Sequence, residues 1–194
     1  MERLQAFTDV VAGARCWGIE LDPRYRVLAV TVEPDPLRAP GTAGEHQLLC
    51  FPASVLLVTV TRPTSADGTA RTALLTFDLE QLTAVSERFG GAVIGDTPFG
   101  LPEPRPGTWG PRHSLEGRSS AADGTRATLT LDLTDEDGAR LQLFTRFDDA
   151  ELRDAARTRV LATSETEAGP SRAGSGAAGP APGEVDDPAD PLRF

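Results

Sequence analysis

The sequence predicts an α+β fold: a largely antiparallel sheet of about seven strands with two or three helices, followed by a disordered C-terminal tail. Three observations carry this expectation. Apolar and polar residues alternate over several short runs, the two-residue period of a half-buried strand. Asp-Gly pairs at 67–68, 123–124 and 137–138 separate such runs, and this dipeptide favours the tight turn of a hairpin. The segment 163–194 has no apolar period and is dominated by Ala, Gly, Pro, Ser and acids.

Residues 3–13 place Leu4, Phe7 and Val11 on one helical face. Trp17, Ile19 and Leu21 then alternate, as do Leu28, Val30 and Val32, with Asp22-Pro23 opening the turn between them. This predicts a hairpin with Trp17 in the core. Residues 34–46 form a loop that includes His46. Two extended runs follow, 47–51 and 53–62, parted by Pro52. Proline has no N–H to give a strand ladder, so it marks a bulge or a strand break. Val55-Leu56-Leu57-Val58 is apolar on both faces, the mark of a central strand covered on both sides.

After Asp67-Gly68 the chain returns as a strand over 72–78. A helix is expected over 79–89, with Asp78 as its N-cap and Gly90-Gly91 at its end. Three strands follow, at about 114–120, 125–134 and 139–147. Leu129, Leu131 and Leu133 share one face of the second; Leu141, Leu143 and Phe147 share one face of the third. Leu152, Ala156 and Val160 give 149–161 a weak helical stripe, so a last helix is expected there.

Residues 1–162 are thus expected to form one domain, with 163–194 as a tail that cannot bury enough apolar surface to offset the entropy of ordering it. A domain of this size buries roughly two-thirds of its unfolded surface, enough to fold without a metal or a disulfide. The two cysteines, Cys16 and Cys50, do not make a disulfide framework and are expected to be reduced and buried. Ala12-Gly13-Ala14 resembles a signal-peptidase site, but Glu2-Arg3 carries no net charge and Asp9 interrupts the apolar run before it. No window approaches the roughly 18 apolar residues of a membrane span. A cytoplasmic protein is expected.

The formal net charge is −10, which opposes binding to nucleic acid or to anionic membranes and suits a basic protein partner. Every basic residue apart from the two histidines is arginine, because the chain has no lysine. That excludes Schiff-base lysines and the lysine of a phosphate-binding loop.

His46 and His113 stand in no HxxH or HExxH pattern, and the cysteines form no CxxC. Ser54, Ser114 and Ser119 lie outside any G-x-S-x-G elbow. The acidic turn 132–138 fails as a calcium loop: taking Gly138 as the sixth position puts Leu133 first and Phe144 twelfth, where oxygen ligands are required. Gly174, Gly176 and Gly179 spell a nucleotide-binding pattern, but in the tail, with neither strand nor helix around it. No catalytic residue, metal or cofactor is expected, and the balance is against an enzyme.

The segment with most recognition character is 95–118. It holds Phe99, Arg105, Trp109, Arg112, His113 and Arg118 among prolines and glycines. Aromatic and arginine side chains dominate binding energy when desolvated, and braced backbone loses little entropy on docking. These six are the expected partner-binding residues, unless Phe99 and Trp109 fold back to cover the sheet. The leading expectation is a non-catalytic binding or adaptor domain that contacts another protein, in one version an immunity-type mask for a basic partner. Two alternatives are a ligand-binding protein or enzyme with a pocket under the 98–118 loop, and a structural subunit of a larger assembly.

Overall fold

A computed structural model describes residues 2–66, 69–75, 78–100, 113–114 and 127–163. The expected tail beyond Thr163 lies outside the described residues, as do Arg105, Trp109, Arg112 and Arg118.

Helix α1 spans Glu2–Val11. Phe7 and Val11 are buried and Leu4 packs against the core, as the spacing predicts. Strands β1 (Arg15–Asp22) and β2 (Val27–Glu33) form the first antiparallel hairpin. Asp22 Oδ1 accepts the backbone N–H groups of Arg24 (2.9 Å) and Tyr25 (3.1 Å), so the turn is closed by a short acidic side chain.

Strands β3 (His46–Phe51) and β4 (Val55–Ala66) flank the Pro52 break. Then come β5 (Thr69–Leu75), a 3₁₀ turn at Leu79–Gln81, helix α2 (Leu82–Glu87) and the short strands β6 (Ala92–Val93) and β7 (His113–Ser114). The chain continues through β8 (Ala127–Thr134), β9 (Arg140–Phe147), β10 (Asp149–Asp154) and β11 (Arg159–Ala162). The α+β class with antiparallel sheets holds.

Two sheets result. One runs β11-β10-β3-β2-β1-β6; the other runs β5-β4-β9-β8, with β7 also paired to β4. Both line one contiguous core: Ile19, Val30 and Leu48 from the first, Leu56, Leu131 and Leu143 from the second, closed by Phe7 and Leu82 of the helices.

The sheets are joined by a bent ribbon. β3 and β4 run against β10 and β9, so that Phe51 pairs with Asp149 and Val55 with Arg146. Three residues lie between those pairs on one strand and two on the other, which is the bulge geometry expected around Pro52. The Phe51–Pro52 peptide is cis. The corner stays hydrogen-bonded: Ala53 N–H donates to Arg26 O at 2.7 Å and Ser54 N–H to Arg146 O at 2.8 Å.

β4 is central, as its apolar run predicts. It has β9 on one side and β7 and β5 on the other. Leu56, Val58 and Val60 face the core, and Leu57, on the opposite face across from Phe144, is buried too.

Four expectations are corrected. Residues 149–161 form the β10–β11 hairpin and no helix. Their helix-favouring composition is overridden by pairing with β3, which buries Ala150 and Leu152 two residues apart. Asp154 builds the turn, taking the Thr158 N–H at 2.8 Å. Helix α2 starts at Leu82, later than the pattern suggests, and Asp78 does not cap it; Asp78 N–H donates to Gln81 Oε1 instead. His46 is the first residue of β3 and is buried, with its Nδ1 3.0 Å from Gly44 O. Trp17, expected in the core, is 41% exposed.

Two measurements check this architecture. Leu57→Ala and Val58→Ala should each destabilise by about 1–4 kcal/mol in urea unfolding, because each empties a covered site; a neutral Leu57→Ala would leave that face of β4 open to solvent. Thr163, the last described residue, donates its N–H to Ala150 O (2.9 Å) and accepts the Ala150 N–H on Oγ1 (2.7 Å), so it belongs with β10 and β11. A chain ending at Thr163 should therefore melt within a few degrees of the full chain, and one ending at Ala162 lower.

Candidate functional site

Of the six residues expected to bind a partner, the described structure places two. Phe99 forms an isolated bridge with Leu129 of β8. Its ring is 9% exposed and meets Phe7 at 6.1 Å and Phe147 at 6.4 Å, both edge-on. It ties α1 to the five-stranded sheet and offers no free surface to a partner, so for Phe99 the covering role holds. His113 opens β7, its backbone paired to Val58. Strands β8, β9 and β4 separate the two backbone positions.

A different aromatic residue reaches the surface. The β1–β2 register shifts between Cys16 and Gly18, leaving Trp17 as the extra residue of a bulge. Cys16 and Ile19 both point into the core, and Trp17 between them turns outward. The signal was present in the sequence, since a glycine inside a strand pattern marks a bulge; Gly18 is that glycine.

The indole is held in place. Its Nε1–H donates to Glu33 Oε2 at 3.1 Å. Its six-membered ring stands over the Gly90-Gly91 turn, where a Cβ on either glycine would touch it at 3.7 Å. Gly91 sits at φ +85°, a conformation that glycine alone adopts readily, and donates its N–H to Cys16 O at 2.8 Å. The turn that carries the ring is thus fastened to the bulge itself.

The neighbouring edge is closed to pairing. β6 covers β1 only at Arg15 and Cys16. Further along, Ser86 of α2 accepts the Ile19 N–H at 2.9 Å and donates to Thr83 O at 2.8 Å. A side chain thereby satisfies an edge group that would otherwise invite another strand.

Two open clefts flank Arg15. One, of about 690 Å³, is lined by Trp17, Arg88, Gly91 and the acidic turn Asp135-Glu136-Asp137. The other, of about 750 Å³, is lined by Glu33, Asp35, Arg38 and Asp96. Arg38 pairs with Asp96 at 2.8 Å and Arg88 faces Asp135 at 3.8 Å. The Arg38–Asp96 pair is exposed and of little energetic weight, while the Asp135 side chain of the other pair is largely buried; each partly neutralises its guanidinium. Asp135 is also engaged locally, accepting the N–H groups of Asp137 and Ala139 on Oδ1.

Among the described residues no group of three His, Cys, Asp or Glu is placed to hold a metal, and no helix is long and apolar enough to cross a membrane. Cys16 and Cys50 are free and buried, as expected. Compared against known protein families, curated proteins and solved structures, the chain matches none.

Burial pushes the Cys16 thiol from 9.0 up to about 11, a weak bond to Gly18 O opposing it, and pushes the Cys50 thiol up as well. In the unfolded chain these thiols ionise near their ordinary value, so both contribute stability that is complete below pH 9.0; the Cys16 contribution is lost as pH rises toward 11, and that of Cys50 goes on falling beyond it. The melting temperature should fall over that range, and less steeply in Cys16→Ala. A thiol reagent at neutral pH should label neither cysteine until urea unfolds the chain.

Proposed function

We propose that this chain is a non-catalytic acidic binding domain that works by contacting a basic protein. The observation that carries this reading is Trp17, a large aromatic ring that is oriented by Glu33 and by the Gly90-Gly91 turn and yet left 41% exposed. The exposed part of the indole adds nothing to the core, whereas an ordered aromatic ring loses little entropy when a partner covers it. The net charge of −10 supports a basic partner, which it would draw in by long-range attraction.

The test is capture on the tagged full-length chain from its own host at low salt, with bound proteins identified by mass. A near-stoichiometric partner richer in Arg and Lys than in acids, released as ionic strength rises, is the expected result. Recovery of acidic proteins alone, or of nothing at low salt, would count against the proposal.

A further inference from the structure

Resting on that reading, we infer that the Trp17 surface is where the basic partner docks, and that the indole and Glu33 together receive an arginine side chain of that partner. Three features of the surface argue for this occupant. The first is the ring itself: a guanidinium stacks on an indole face more favourably than on any other side chain. The second is Glu33. A carboxylate has about four lone-pair sites, and the indole N–H occupies one, so a guanidinium over the ring can also donate to the same carboxylate.

The third feature is the balance of charge around the ring. The two clefts that meet at Arg15 bring together Glu33, Asp35, Asp96, Asp135, Glu136 and Asp137. Against these carboxylates stand Arg15, Arg38 and Arg88, and the last two already face Asp96 and Asp135. The surface is therefore acidic on both sides of Arg15, with the oriented ring lining one cleft and bonded to Glu33 of the other, and it is complementary to a segment that carries arginines. An acidic or purely apolar segment would meet uncompensated carboxylates there.

Arg15 is the exception, a cation at the centre of this surface and directly across the hairpin from Glu33. It sets the geometry: an incoming arginine is steered away from the Arg15 guanidinium and toward the ring and the acidic turn 135–137. Replacing Arg15 by glutamine should accordingly tighten binding of a basic segment.

The probe is a hexa-arginine peptide, followed through the side-chain indole N–H signals of the ¹⁵N-labelled full-length protein. The chain has two tryptophans, and the Trp17 signal is the one lost in Trp17→Phe. Hexa-arginine should move that signal saturably, and hexa-glutamate should not. Glu33→Gln should weaken binding several-fold, Trp17→Ala by about tenfold, and Trp17→Phe less than Trp17→Ala. Glu80→Gln, an exposed carboxylate outside both clefts, should leave binding unchanged.

Melting each variant first separates lost binding from lost fold, and Glu33→Gln carries the test should Trp17→Ala unfold. An unmoved Trp17 signal, or equal weakening by Glu33→Gln and Glu80→Gln, overturns the site. In that event, capture of a basic protein by Trp17→Ala at the wild-type level would keep the binding function and move it to another surface. Loss of capture by the wild-type chain itself would remove both.

Discussion

The bent ribbon of β3–β4 against β9–β10 is the constraint on which the rest of the structure depends. One pair of strands serves both sheets, so each sheet inherits its place from the corner at Pro52–Ser54 and Phe147–Asp148. The three-against-two count at that corner lets the ribbon turn without losing its backbone hydrogen bonds, because Ala53 finds the carbonyl of Arg26 and Ser54 that of Arg146. Inward residues on both sides of the corner then meet in one core. Leu48 and Leu152 come from the first sheet, Val58 and Leu143 from the second.

A second irregularity, at the other end of the six-stranded sheet, produces the candidate surface. The Trp17 bulge keeps Cys16 and Ile19 in the core while sending the indole out. Because Gly91 bonds back to Cys16 and Ser86 to Ile19, the segment 86–91 is locked against β1 on both sides of the bulge. The exposed ring therefore stands on rigid backbone rather than on a loop, the arrangement that makes an aromatic group effective in recognition. Phe99, the aromatic start of the long segment that composition singles out, is committed to the core, whereas Trp17 stands on a strand edge that composition does not single out.

The parts of this fold that depend on near neighbours were legible in the sequence. The face of α1 needs only the spacing of Leu4, Phe7 and Val11. The β8–β9 turn needs only the chemistry of Asp135–Gly138, where Gly138 takes φ +78° and Asp135 gathers the turn amides. The central position of β4 follows from an apolar run that leaves it no polar face. Pro52 signals its irregularity because it lacks an N–H wherever it stands.

Tertiary structure alone decided what depends on distant partners. Residues 149–161 favour a helix by local propensity, and only the ladder offered by β3, some hundred residues earlier, makes Ala150 and Leu152 a strand pair. Trp17 reads as core in a strict two-residue period. The single extra residue that inverts it is set by where β2 must pair and where Gly91 reaches back to Cys16. A one-residue slip in a strand moves a side chain from one face of the sheet to the other, so a small uncertainty in register becomes a complete reversal of burial. Composition and period thus determined the class of fold and most of its core, while register, settled only by pairing across the sheets, determined that the Trp17 ring faces the solvent.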